Sequence, residues 1–459
     1  MSTPTKKRSV LKKILIGIAI LILLAAVAFQ VFITRYLPSM VRERLTDVIV
    51  KGSDSLYRFE VGKFDVSFWG GSVQFSDLKI TIDTARYKKM EAEKRLPPLT
   101  FQLNLPAGSI NGIGLRALIW KKKIDISNIR FKAADIHLAR HFRSTDTTVS
   151  SDQPLWKLIQ PDIRSINIAS VRCDDLKMTY QNVDRATSFR WAFEKCNIMF
   201  SDIRVDSTSA NDSSRLMFAK NIGLAAEDIK MKTPDGLYYL FADQITYTSS
   251  ERALRVKAFD FHPTMNQQQF NRHWGYEHEI YKLKIPVIEL KNFQLPQWIS
   301  YNRLRVDTVK LISPSIAVHM DRNPRDNPYS KKGKYPQQLL QKAPFSMLIK
   351  QLRATDASML YTETNDKTQM TGKLQFSALN GVIENITNDT AALQRSRECI
   401  ANIRGRVMKS GSIHAVFRFN LADKAGAFSV NSTITNLNAP QLQPLFKAMT
   451  ATDIQSFNM

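Results

Sequence analysis

The sequence predicts a mainly β protein: an N-terminal transmembrane helix, then a long curled antiparallel sheet forming an open groove, with few short helices. Three observations predict it. Apolar residues recur with period two from residue 59 onward, one spaced apolar template occurs four times, and a twenty-residue apolar run lies near the start.

The apolar run is ILIGIAILILLAAVAFQVFI, residues 14–33, with Gln30 its one strongly polar side chain. As a helix at ~1.5 Å per residue it spans about 30 Å, the thickness of a hydrocarbon core. Lys6, Lys7, Arg8, Lys12 and Lys13 precede it. A basic flank stays cytoplasmic, which makes 1–13 a cytoplasmic tail and sends the rest across the membrane. Ala26-Val27-Ala28 also fits a signal-peptide cleavage site. Against cleavage, the run continues through Phe29, Val31, Phe32 and Ile33. The bulk of the chain is exported on either reading.

Residues 34–52 place Leu37, Val41, Leu45 and Val48 three to four apart, the stripe of an amphipathic helix that Gly52 stops. It is a juxtamembrane connector, or a plug for one end of the sheet.

Residues 53–459 read as strands. Phe64, Val66 and Phe68 alternate with polar residues; so do Leu78, Ile80 and Ile82, then Leu237, Tyr239 and Phe241, and later Phe417 and Phe419. Such alternation gives a strand one apolar and one wet face. A stricter pattern, h-x-h-x-x-h-x6-h-x-h with h apolar, recurs. It is carried by Ile124, Ile126, Ile129, Ile136 and Leu138, and by Ile166, Ile168, Val171, Met178 and Tyr180. Leu304, Val306, Val309, Ile316 and Val318 repeat it, as do Met347, Ile349, Leu352, Met359 and Tyr361. The one-residue slip between the second and third apolar positions predicts a bulge or corner there. Helices are expected over 264–283 and 336–342, and loops over 143–154 and 320–335. About 22–30 strands fit the exported length, and a sheet that wide must curl.

The composition, 44% hydrophobic and 23% charged, is that of a folded chain. Cys173, Cys196 and Cys399 have no metal or disulfide spacing. The chain carries no GxxxxGK[ST], GxGxxG after a strand, GxSxG or HExxH motif. His273 and His278 flank Glu277 without an i, i+4 pair of histidines, and His137 and His141 read as surface residues. The chain is read as a non-enzyme without cofactors. Lys+Arg exceeds Asp+Glu by 65 to 41, giving +24. The cations are spread along the chain, as on solvated strand faces. A second reading attracts anionic headgroups to Arg322, Arg325, Lys331, Lys332 and Lys334. An exported chain without a recognition motif is not expected to bind nucleic acid.

A basic tail, one anchor, an amphipathic helix and then FEVGKFDVSFWGGSVQFSDLKI (59–80), with Asp77, Leu78 and Ile80 forming a "dL-x-I" phrase, resemble the opening of AsmA-like bacterial envelope proteins. LRVKAFDFHP (254–263) and MLYTETNDKTQMTGKLQFSALNGVIENITN (359–388) look like later parts of that family. The resemblance implies a repeating β-groove with a lipid-compatible interior, anchored in the inner membrane and projecting into the periplasm. It also implies a role in phospholipid transport or outer-membrane homeostasis. Relatives usually continue past IQSFNM (454–459), which leaves two expectations open: a periplasmic or outer-membrane protein completes that end of the groove, or this chain is simply shorter.

On this reading the groove is lined by Ile124, Ile126, Ile136, Leu138, Ile166, Ile168, Met178, Tyr180, Leu304, Val306, Ile316, Val318, Met347, Ile349, Met359 and Tyr361. Two rivals stay open: an outer-membrane protein assembly factor, and a structural β-sandwich with a filled core and no bound lipid.

Overall fold

The computed structural model describes residues 51–450 apart from 68–70, 98, 142–162, 184–189, 210–211, 213–214, 216–217, 234 and 331–332, together with 43, 46, 47, 49 and 50. The tail, the anchor, the stripe Leu37, Val41, Leu45 and Val48, and Lys331 and Lys332 lie outside the described residues. No helix among those described is long and apolar enough to cross a membrane. Among the described residues nineteen strands form one mixed sheet, where the sequence predicts an antiparallel one. The chain divides into two compact units, residues 1–184 with 197–220, and residues 185–196 with 221–459.

In the first unit the order is β1 (Tyr57–Glu60), β2 (Phe64–Ser67), β3 (Ser72–Ile82), α1 (Thr84–Ala92), β4 (Leu99–Ile113), α2 (Leu115–Lys121), β5 (Lys123–Lys132), β6 (Asp135–Arg140) and β7 (Ser165–Asn182). β8 (Arg190–Val205) and β9 (Ala219–Lys232) each contain residues of both units. β3 pairs antiparallel with β1, β2 and β4. The long β4 then pairs with β5 along one half and with β6 along the other. β5 and β6 are therefore one interrupted strand, and β7 runs parallel to both.

The second unit repeats this plan and extends it. It holds β10 (Tyr238–Thr248), β11 (Ala253–Pro263), α3 (Gln267–Trp274), β12 (Glu279–Lys291), α4 (Leu295–Tyr301), β13 (Arg303–Ile312), β14 (Ser315–Asp321), α5 (Pro336–Gln341) and β15 (Ser346–Thr364). β16 (Thr371–Thr387), α6 (Thr390–Arg395), β17 (Glu398–Val407), β18 (Gly411–Asn420), β19 (Phe428–Thr435) and α7 (Gln443–Thr450) complete it. β12 spans β13 and β14, and β15 is parallel to both. From β15 to β19 the neighbours are antiparallel.

The parallel pairings have a cause in chain length. Two antiparallel strands join through a tight turn, whereas parallel neighbours need a crossover of a dozen or more residues. Residues 141–164 separate β6 from β7 and 322–345 separate β14 from β15, long enough for such crossovers; Met320 and Asp321, read as the start of the second loop, belong to β14.

The two units correspond residue by residue. Leu99–Arg140 and Glu279–Met320 match at a constant offset of 180. Pro106 corresponds to Pro286, and Lys122 and Asn302 are both left-handed helix caps with φ 53°. The amides of Gly114 and Gln294 donate to the carbonyls of Asp125 and Arg305, at 2.8 and 3.0 Å. Tyr57 and Tyr238 each reach past a strand end, their hydroxyls accepting from the amides of Phe101 (3.3 Å) and Tyr281 (3.5 Å).

In each unit one row of residues crosses the strands where the pairing is interrupted. It runs Asp77, Pro106, Ala133 and Asp175 in the first unit, and Ala258, Pro286, Ser313 and Asp356 in the second. All but the prolines are left-handed, with φ between 48° and 56°. A left-handed residue turns the chain instead of continuing the pleat, and proline cannot donate to the ladder. The turn of the strand thus falls inside the x6 stretch of the template, three residues before its fourth apolar position. The expected corner, between the second and third positions, is instead one missing rung: Ser127 opposite Ala169, and Asp307 opposite Lys350.

The helix expected over 264–283 is confined to α3. Asn266 and Gln269 form a capping box at its start, and Gly275, φ 68°, ends it so that β12 begins at Glu279. His141, expected at the surface, is 5% exposed. Its Nε2 lies 3.1 Å from the Thr100 hydroxyl and its ring packs on Tyr87.

Candidate apolar face

The template residues are cross-strand partners. Ile124, Ile126, Ile129, Ile136 and Leu138 stand directly opposite Ile166, Ile168, Val171, Met178 and Tyr180. Leu304, Val306, Val309, Ile316 and Val318 stand opposite Met347, Ile349, Leu352, Met359 and Tyr361. Directly opposed residues share a face. One sequence template in two parallel neighbours therefore builds an apolar ladder, and the repetition in sequence is the record of that pairing.

The ladders extend sideways. In the second unit Leu224, Tyr247, Leu254, Leu290, Val309, Leu352, Ile383, Ala401, Phe417 and Val430 pair in succession across ten strands, β9 to β19. At ~4.8 Å per strand this row is roughly 43 Å long. Beyond the line of left-handed residues a second row runs Met231, Leu240, Phe261, Leu283, Ile316, Met359, Phe376 and Val407. The first unit has shorter rows, among them Phe59, Ile80, Leu103, Ile136 and Met178. The opposite face is charged: Arg255, Glu289, Lys310 and Arg353 form the corresponding row there. The Arg255 guanidinium, bonded to Glu289, holds that carboxyl below its ordinary range.

This face is not sealed like a core. Of the sixteen residues expected to line a groove, only Val306 and Val318 are buried; Ile316 is 36% exposed and the rest are half-buried. In the second row only Val407 is buried. Leu105, Leu176 and Ile285 are buried within their strands, and clusters of full burial lie at strand ends, against helices. Leu56, Tyr57, Met90 and Leu96 form one such cluster, with Ile49 against it. Leu237, Tyr238, Phe270 and Ile280 form its counterpart beneath α3. Trp298 and Leu295 of α4 cover the ends of β12 and β13 with Phe293.

The alternation Leu237, Tyr239, Phe241 predicts these three on one apolar face. The structure puts Tyr238 with Phe261, their rings stacked at 4.4 Å, and turns Tyr239 and Phe241 to the other side with His262. Lys230 and Lys232 lie over those two rings at 5.0–5.4 Å. In the run LYYLFA both parities are apolar, so period alone does not choose the face.

Among the proposed headgroup contacts, the Arg322 guanidinium is engaged by two carboxylates, Glu277 and Glu363, each at 2.8 Å. Arg325 is exposed and donates to the Gly275 carbonyl, and Lys334 lies over the Tyr329 ring. Burial pushes the Cys399 thiol up to about 11, which keeps it protonated and unreactive. No group of metal-ligating side chains stands together among the described residues. No family model matches the chain, and no curated protein is significantly similar to it.

Proposed function

We propose that this protein is anchored in the inner membrane of a diderm envelope by its N-terminal helix. The exported sheet then shields lipid acyl chains, supporting phospholipid passage between the inner and outer membranes. The observation that carries the reading is the ten-strand apolar row. Tyr247, Val309 and Ala401 are buried in it, but the other seven members, from Leu224 to Val430, are only partly withdrawn from water. A filled sandwich would bury such a row. A surface of this kind lowers the cost of moving an acyl chain through water by ~0.8 kcal/mol for each CH₂ it covers. No chemical step is needed, and headgroups stay in water beside the face.

The full chain, purified in mild detergent from a membrane-containing host, is analysed by native mass spectrometry and lipid extraction. Several phospholipids per chain are expected, lost in Met178→Asp and Ile316→Asp and kept in Arg353→Ser on the opposite face. A lipid-free chain, or lipid retained by both aspartate variants with unchanged folding, sinks the proposal.

A further inference from the structure

β19 is an edge strand. Among the described residues it pairs with β18 alone, so the backbone groups of alternate residues along its other side face outward. Edge strands are normally blunted by charges, proline or a bulge. β19 reads FSVNSTIT and has none of these, with an unbroken register to β18. By contrast β1 carries Arg58 and Glu60, and β2 carries Asp65. Every residue of β19 except Ile434 is exposed, Phe428 to 49% and Val430 to 51%. The apolar face nevertheless runs onto this strand, through Phe417 opposite Val430 and Phe419 opposite Phe428.

We propose that β19 pairs antiparallel with β19 of a second copy of this chain, about a two-fold axis at Asn431. Of the two registers that overlap seven residues, about Asn431 and about Ser432, it is the one that brings Phe428 into the ladder. It sets Phe428 opposite Ile434, Ser429 opposite Thr433, Val430 opposite Ser432, and Asn431 opposite Asn431. Apolar positions then share one face and polar ones the other, and no charge meets a like charge across the pair. The ladder closes both open edges and joins two apolar faces into one. Its value for lipid passage rests on the function proposed above, but the pairing rests on the edge alone.

The full chain in detergent is examined by light scattering, and Asn431→Cys is oxidised mildly beside the unmodified chain. Residues facing across a two-fold axis lie within disulfide reach. Ser429 is displaced from its symmetry mate by four residues, about 13 Å, so Ser429→Cys alone does not cross-link, whereas mixed with Thr433→Cys it does. Twice the chain mass, a cross-link at 431, and reversion of Asn431→Lys to the single-chain mass are expected. A single-chain mass with no cross-link at 431, or cross-linking at 429 alone as fast as at 431, overturns the pairing. Lipid content is read separately, so a single chain that carries lipid refutes the pairing and leaves the function standing.

Discussion

Ser313 and Asp356 stand opposite each other on the parallel pair formed by β13–β14 and β15, both left-handed, at φ 48° and 50°. The Ser313 amide donates to the Thr355 carbonyl at 2.9 Å, and its hydroxyl lies 3.3 Å from the Asp356 carboxylate. Ala133 and Asp175 repeat the arrangement in the first unit, where the Ala133 amide donates to the Asp174 carbonyl at 2.9 Å. The apolar period shifts by one at this row: Leu254 and Val256 precede Ala258 in β11, and Phe259 and Phe261 come after it. A bend built from a left-handed residue or a proline in each of these strands keeps the pairing offset the same on both sides of the row, since they turn at the same rung.

An L-residue held left-handed costs about 1–2 kcal/mol, and glycine escapes most of that. Ala258→Gly is therefore expected to stabilise the full chain by about 0.5–1 kcal/mol, read as a higher thermal midpoint. Ala258→Val should lower the midpoint by at least as much, because a β-branched residue tolerates this region worst. Val256→Gly, two residues away in the extended part of β11, is the control and should destabilise. If Ala258→Gly behaves like Val256→Gly, the row is not where the strands turn.

The strand content and the template residues are legible in the sequence because apolar side chains at period two have one physical explanation, a half-buried sheet. The parallel direction is not, since a strand alternates identically whichever way its neighbour runs; the signal lies in the equal polar crossovers before Ser165 and Ser346. The bend is hidden for another reason. Asp is a familiar left-handed residue, but Ala133, Ala258 and Ala378 are not, and of these three the x6 spacing marks Ala133 alone. The 180-residue correspondence is faint because few identities survive in it, among them Leu103 and Leu283, Pro106 and Pro286, and Ile136 and Ile316. The burial of His141 is invisible because a histidine beside a polar loop gives no hint that Tyr87 will cover it. The rows across ten strands need register, which no single strand encodes.

Phe75 and Gly108 form a second test of packing. They pair directly, and the Phe75 ring lies so flat over the glycine that an added Cβ would stand 2.2 Å from its Cζ. Gly108→Ala is expected to cost about 1–3 kcal/mol, as overpacked sites do. Phe75→Leu in the same chain should recover part of that, giving a double variant more stable than the sum of the two losses. Denaturant midpoints of the four proteins measure it, and strict additivity would remove the contact as the cause.

His319 supplies a pH dependence. Burial holds its imidazole below the ordinary value of 6.5, outweighing the opposite pull of Asp321, while Lys282 adds to the depression. Its Nδ1 lies 2.8 Å from the Thr362 hydroxyl. The folded form resists protonation, so the unfolded chain takes up the proton first as pH falls. The contribution is complete above about 6.5 and is lost as pH drops through the depressed value. NMR titration should find the imidazole titrating below 6.5. His319→Gln should flatten the fall in stability of the second unit over that interval; an unchanged slope would assign the effect to other groups.

The last prediction separates two roles for basic residues in one segment. Arg322 bonds to Glu277 and Glu363, carboxylates whose side chains are only 12% and 14% exposed. Tyr361 donates its hydroxyl to the same Glu363, and burial, then this carboxylate, pushes its phenol up, so it stays protonated as the donor. Removing the guanidinium leaves two poorly solvated carboxylates beside each other, at a cost of about 1–3 kcal/mol. Arg322→Gln should therefore lower the denaturant midpoint, and adding Glu363→Gln should restore part of it, since the repulsion goes with the second charge. Arg325 is exposed and gives one hydrogen bond to a backbone carbonyl, so Arg325→Gln should move stability by no more than about 0.5 kcal/mol. Binding to anionic vesicles is the complementary readout. A headgroup role predicts a loss for Arg325→Gln without a change in folding, whereas Arg322→Gln should act through stability first. Equal destabilisation by the two substitutions would mean that the paired carboxylates are solvated after all, and that Arg322 is as free for a headgroup as its neighbour.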